Sequence, residues 1–463
     1  MQKHLLKIVV PETCSEELKY VVRVIFDEFW GVPYDLSVAA QAHVSISEKG
    51  SDGCVTIDSD FFSAAALNWL GSESLPELPL SSLNISSYDF LKDVEFNELP
   101  IFFGSPNLIL SKSLIEVKFD IFGAIFFMLT RYEEYLHHER DEHDRFQERS
   151  SVGHKAGLQA TPIVNHYLEV LWRVLKRAGF LLERRTKSFK IEPTCDLDLP
   201  FDPAFDSLWF SIKNGARYFV DNQSLMQFSN NLGKYFLGDS FAKDENVAGI
   251  NWIMTICEDL NIQAQFYLIP KITHRADCYN NIFSSQSINL VKEILARGHF
   301  IGMHPGYLCY VSEDNFAQSV KAFRQLLELV NQPIDIIDSR MHYLRWKFPE
   351  TLDLYSKFNI GSDSTMAYAE APGFRSGICY EHSMYDLESR SPTGVIQKPL
   401  ILMESSLLDE PHLGLGHSEK AKRIMLELQR QCKLYNGNFR FLWHNCHLAS
   451  QEDRDFFKLL IEH

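Results

Sequence analysis

After residue 185 the chain alternates short apolar runs with longer amphipathic ones, and this rhythm limits its fold more than any other feature. Strand-like runs fall at Phe189–Cys195, Gln263–Ile269, His299–Met303, Ile334–Ile337, Asn359–Ser362, Ile396–Met403 and Phe439–Trp443. Segments with helical spacing fill the gaps, at Val247–Leu260, Ser287–Arg297, Asn315–Asn331, Pro349–Lys357 and Ser418–Tyr435. Strand-then-helix alternation makes a parallel sheet covered by helices. Seven strands in roughly 275 residues predict an α/β fold with a distorted (β/α)7-type barrel over residues 186–463. No G-x-G-x-x-G follows the first strand, which argues against a dinucleotide fold.

Residues 1–185 read as a smaller α/β domain of unassigned role with a helical connector. Strands are expected at Leu6–Val10, Val44–Ile46 and Val55–Ile57, and helices at Glu16–Phe29, Asp120–Leu136 and Pro162–Gly179. The charged run Arg131–Arg149 is expected to be a solvated helix end and loop. No repeat, low-complexity tract or glycine-rich phosphate loop is present.

At 463 residues the chain is long for one core, and its 45% hydrophobic and 13% aromatic content, with 34 Phe, supplies a large buried interior. A formal charge of −16 argues against general nucleic-acid or anionic-membrane binding. The opening residues lack the pattern of a secretory leader, and the longest apolar run, Ile121–Leu129, is short of the ~20 residues of a membrane span. A soluble, cytoplasmic protein is the expectation. Nine scattered cysteines without a C-x-x-C pair indicate neither a disulfide framework nor a thiolate zinc site. Cys446 beside His447 invites a Cys-His nucleophile reading, but the nearby histidines have a better use.

Side chains alternate along a strand, so Asp196 and Asp198 in Thr194-Cys195-Asp196-Leu197-Asp198 project from one face, about 7 Å apart. Two carboxylates aimed at one spot need a cation or a proton between them. Downstream, Gly298–Pro305 carries His304, Ser339–Trp346 carries Arg340, His342 and Arg345, and Phe441–His447 carries His444. Each of these segments follows a different expected strand, the place where barrel chemistry sits.

In this order the segments resemble the five short motifs of the polysaccharide deacetylase superfamily. Thr194–Asp198 is similar to its acidic motif, Gly298–His304 to its H-x-x-x-H motif, and Arg340–Pro349 to its arginine motif. Gly373–Gly377 with Tyr385-Asp386 resembles the aromatic-aspartate motif, and Leu442-Trp443-His444 the final L-x-H motif. The resemblance covers residues 186–463, while Asp120–Phe146 resembles segments of bacterial relatives with an uncharacterised front domain. It implies hydrolysis of an N-acyl bond on a sugar or related small amide, with a divalent metal (zinc, or cobalt or nickel) as Lewis acid. Asp196 is then the base, Asp198 and His304 are metal ligands, His444 is the general acid, and Arg340 or Arg345 pairs with the base carboxylate.

One position departs from the family. Its second histidine ligand belongs four residues after His304, where this chain has Leu308. Catalytic zinc usually has three protein ligands, and His342 is the available replacement. Without a replacement the barrel is a catalytically inactive carbohydrate-binding or regulatory protein. A metal-dependent phosphoesterase would need an H-x-H pattern near the first strand, which is absent. Tyr307, Trp346, Phe374 and Trp443 are candidates for a sugar-facing wall or for core. Asp363 and Asp386 are candidates for orienting a guanidinium or the acid histidine. The sequence does not specify the oligomeric state.

Overall fold

Strict alternation of apolar and polar residues builds the front sheet of the computed structural model, which describes residues 5–205, 212, 225–237, 242–278, 280–334 and 336–462. Its strands are β1 (Leu6–Pro11), β2 (Tyr34–Ala39), β3 (His43–Glu48), β4 (Cys54–Asp58), β7 (Gly104–Leu110) and β8 (Leu114–Phe119), while β5 (Ser81–Asn84) and β6 (Glu98–Ile101) form a separate pair. In β3, β4 and β8 every second residue is buried, as a sheet with one face on a core requires. The order is β2-β1-β3-β4-β8-β7, with β1/β2 and β4/β8 parallel and the other pairs antiparallel. Helices Ser15–Val22, Ile121–Leu129 and Ile163–Arg177 contribute to the core of this region. The expected helix 120–136 is broken at Arg131, whose φ of 54° is left-handed.

The charged run at 131–149 departs from expectation at its start. Arg131, Glu133 and Glu134 are buried, not solvated. Arg131 donates from Nε to Glu134 and from Nη2 to Glu133, both at 2.8 Å, and Arg375 grips Glu134 through two bonds of 2.9 and 2.7 Å. Charges leave water only when paired in this way.

Four strands follow in parallel: β9 (Lys190–Leu197), β10 (Gln265–Leu268), β11 (Phe300–Met303) and β12 (Ile337–Ser339). Helices Glu245–Asp259, Ser285–Ala296 and Glu313–Leu329 make the returns. β12 starts later than expected, and Asp335 within the expected run lies outside the described residues. Next come β13 (Ile360–Asp363), β14 (His382–Asp386) and β15 (Ser391–Gln397), with β15 parallel to β13 and antiparallel to β14. The single strand expected at 396–403 is two, because Pro399 has no N–H for a ladder, and β16 (Leu402–Met403) begins beyond it. β17 (Asn438–Leu442) lies beside β9. The architecture is mixed α/β.

Two compact units make up the chain, and they are not consecutive in sequence. One contains residues 1–190, 346–402 and 427–439, the other 191–345, 403–426 and 440–463. Residues 346–402 and 427–439, which the sequence places with 186–463, belong to the first unit together with residues 1–190. Among the described residues, no helix is long and apolar enough to cross a membrane.

Candidate functional site

Register explains why distant residues meet in the second unit. Leu197 pairs with Leu268, Leu268 with Met303, and Met303 with Ser339. The residues that follow, Asp198, His304 and Arg340, therefore leave their strands at one level, at the carboxyl ends where parallel sheets place ligands. His342 stands two residues beyond Arg340, and Glu404 and His444 follow β16 and β17.

Asp198, His304 and His342 bring one ligand atom each within 4.8 Å of one another. His304 Nε2 is 3.3 Å from Asp198 Oδ1, and His342 Nε2 is 3.5 Å from Asp198 Oδ2. Both rings have their other nitrogen occupied: His304 Nδ1 donates to the Arg340 carbonyl at 2.5 Å, and His342 Nδ1 to Asp277 Oδ1 at 2.7 Å. A nitrogen that donates to an oxygen carries a proton, so in each ring Nε2 is the nitrogen left to face Asp198 and to take a cation in exchange for any proton it holds. Asp198 Oδ1 is buried without a hydrogen bond. A carboxylate with one orphaned oxygen, faced by the Nε2 atoms of two imidazoles, fits a divalent cation of the zinc class. Burial raises the Asp198 pKa, but His342 and His304 outweigh it and hold the group well below the ordinary carboxylate range. Burial lowers the His342 pKa, and the facing carboxylates of Asp198 and Asp277 reverse this, to about 9.

Asp196, two residues up the strand, is buried and points Oδ2 at His304 Nε2, 3.6 Å away. Arg340 Nη1 donates to Asp196 Oδ1 at 2.8 Å and to Thr194 Oγ1 at 2.9 Å. Thr194 Oγ1 in turn donates to the Phe441 carbonyl. Arg345 is placed elsewhere: it donates to the Tyr307 carbonyl at 2.7 Å and lies 3.8 Å from the Tyr307 ring centre and 3.7 Å from that of Tyr310. Arg340 is thus the guanidinium at Asp196, and Arg345 is held as a packed cation between two rings.

On the other side, His444 Nε2 stands 3.7 Å from Asp198 Oδ2. Its Nδ1 donates to Glu404 Oε1 at 2.5 Å, and its backbone N–H donates to the same oxygen at 3.0 Å. His447 Nδ1 lies 3.1 Å from that oxygen, so Glu404, His444 and His447 form a second converging trio. Burial would lower the His444 pKa, but the Glu404 charge lifts it to about 10. A protonated imidazole aimed into the site is a proton donor.

Other singled-out residues have structural placements. Trp346, Phe374 and Trp443 are buried core. Tyr307 is half-buried, its ring stacked on His274 at 4.7 Å. Asp363 bonds Thr365 and Gln397, and Asp386 accepts two backbone N–H groups of its own turn. Burial pushes the Cys446 thiol up to about 12, which leaves it neutral and a poor nucleophile. Two site carboxylates escaped the sequence reading. Glu404 had a usable signal, an acid directly after a strand, whereas Asp277 lies in an irregular loop with none.

Residues 6–179 match a family model described as a family of unknown function, DUF7033. No curated protein matches the chain. Among solved structures, the chain is similar to a candidate polysaccharide deacetylase from Mycobacterium smegmatis, at 15% identity and a TM-score of 0.38, over 60% of this chain and 84% of that one. It is similar to Puue allantoinase at 11% identity and a TM-score of 0.36, over the same shares of 60% and 84%. A mutant of a CE4 family pseudoenzyme is similar at 10% identity and a TM-score of 0.29, over 59% of this chain and 62% of that one. At these values the geometry of the site, rather than the likeness, carries the functional reading.

Proposed function

We propose that the chain is a metal-dependent hydrolase that removes an N-acyl group from a sugar or a related small amide, on a barrel of the polysaccharide deacetylase type. The observation that carries this reading is the Asp198 carboxylate, which has a buried, unbonded Oδ1 and faces His304 Nε2 at 3.3 Å through Oδ1 and His342 Nε2 at 3.5 Å through Oδ2. Asp198, His304 and His342 hold the metal, which is zinc, cobalt or nickel. When bound, the metal supplies a Lewis acid for the amide carbonyl and for water.

The protein groups divide the proton work. Asp196 takes the proton from water, and Arg340, itself held by Thr194, fixes Asp196 Oδ1 and leaves Oδ2 for the reacting atoms. His444 gives a proton to the departing amine from Nε2, and Glu404 holds the ring by Nδ1–H. Base and acid each stand beside one of the metal-holding residues, Asp196 Oδ2 at 3.6 Å from His304 Nε2 and His444 Nε2 at 3.7 Å from Asp198 Oδ2. Amide hydrolysis needs this pairing, because nitrogen leaves only when protonated.

Leu308 at the family's second histidine favours another reading, a barrel that binds a glycan without turnover. One experiment separates the two. Purified protein loaded with zinc or cobalt is expected to hold one ion per chain and to release acetate from N-acetylated sugar oligomers, and Asp198→Ala is expected to lose both. Absence of stoichiometric metal under zinc, cobalt and nickel supplementation overturns the hydrolase; metal without acetate release supports the binding protein.

A further inference from the structure

We infer that Asp277 is the positioning residue that makes His342 a metal ligand in place of a histidine at position 308, an inference that rests on the metal centre proposed above. Asp277 is buried and accepts from five donors on three loops. Its Oδ1 takes His342 Nδ1 and Tyr307 N, both at 2.7 Å. Its Oδ2 takes Thr273 N at 2.7 Å, Thr273 Oγ1 at 2.8 Å and His274 N at 3.0 Å.

These bonds act on both the lost ligand and the new one. The loop after β11 is tied to the 273–277 loop: Tyr307 N reaches Asp277 directly, and Leu308 N donates to Thr273 Oγ1 at 3.0 Å. Gly306 makes the approach possible, since a Cβ there would stand 2.7 Å from Asp277 Oδ2. The loop after β12 is drawn to the same place, with His342 N donating to the Pro305 carbonyl at 3.1 Å. A histidine ligates through either nitrogen, and its other nitrogen's partner decides which. At His342 that partner is Asp277, and the consequence is that Nε2 is the nitrogen presented to the site, 3.5 Å from Asp198 Oδ2, in a ring centred 5.0 Å from that of His304. Carboxylate, imidazole and metal in series is an arrangement that orients a ligand and makes it more basic.

The test compares full-length wild type, Asp277→Asn, His342→Ala and Asp198→Ala as cobalt-loaded proteins, by chelator competition and visible absorption. Asp277→Asn is expected to weaken cobalt binding by about 10–100-fold and to move the cobalt bands toward those of His342→Ala. An unchanged affinity and spectrum in folded Asp277→Asn overturns the inference. If wild type shows no cobalt binding beyond that of Asp198→Ala, the metal centre itself falls, a distinct outcome. Should Asp277→Asn fail to fold, zinc-loaded wild type with 15N-labelled histidine decides. A proton on His342 Nδ1 with zinc at Nε2 is expected, and zinc at Nδ1 overturns the inference.

Discussion

Each unit of this protein buries a cluster of opposite charges, and the two clusters are built on different rules. In the first unit, Arg131, Glu133, Glu134 and Arg375 form a closed set. Glu133 accepts from Arg131 and from Val152 N, Glu134 from both guanidinium groups, and Arg131 and Arg375 also donate to the carbonyls of Arg375 and Ala367. In the second unit, the cluster around Asp198 leaves a buried carboxylate oxygen without a hydrogen bond and turns three imidazole nitrogens toward the two oxygens of that carboxylate. A closed set satisfies itself and holds the fold together; an open set is costly to fold and makes sense when something else completes it.

Substitutions should separate the two clusters. The largest effect is expected at the open one: His444→Gln should cut acetate release by about 10²–10⁴-fold while the unfolding midpoint in urea stays near that of wild type. A comparable loss of stability would show that His444 is structural. At the closed cluster the pattern should invert. Glu134→Ala strands two buried guanidinium groups and is expected to cost about 3–5 kcal/mol of stability, read from urea unfolding, with cobalt affinity unchanged. Loss of metal binding in a folded Glu134→Ala protein would break the contrast.

A smaller effect distinguishes the clusters by pH. Burial raises the Glu134 pKa, but Arg375 and Arg131 outweigh it and bring it from 4.5 to about 2. A carboxylate depressed on folding contributes stability that is complete above the unfolded value and is lost as pH falls toward the folded one. Wild type should therefore lose stability between about pH 5 and pH 2, and Glu134→Gln should flatten that stretch of the profile. An unaltered acid limb in Glu134→Gln would show that the carboxylate does not drive it. The smallest effect belongs to Cys446→Ser. With the thiol neutral, turnover and metal affinity should not change, and a large loss of turnover would revive the thiol nucleophile.

The same contrast explains what could be read from the chain. Asp196, Asp198, His304 and His444 were legible because each lies within two residues of the end of a strand, and strand ends in parallel sheets share one rim. His342 was legible only through the gap left by Leu308. Arg340 and Arg345 could not be told apart, since both lie on the loop after β12 and only packing decides that Arg345 enters the rings of Tyr307 and Tyr310. Asp277 was missed because an acid that orients an imidazole needs closeness in space and no spacing in sequence, whereas Glu404 directly follows a strand and shares the signal of the legible residues. The closed cluster was misread for a related reason. Arg131 and Glu134 resemble any solvated helix end until Arg375, 241 residues from Glu134, supplies the partner that permits burial.

Three histidines of the open cluster each anchor Nδ1 on an oxygen of the protein: His304 on the Arg340 carbonyl, His342 on Asp277 and His444 on Glu404. None of these rings can flip without giving up that anchor. The cluster is therefore shaped before any cation of the proposed centre arrives, and stripping and reloading such an ion should proceed as simple exchange, without the slow phase of a chain that must refold around its cargo.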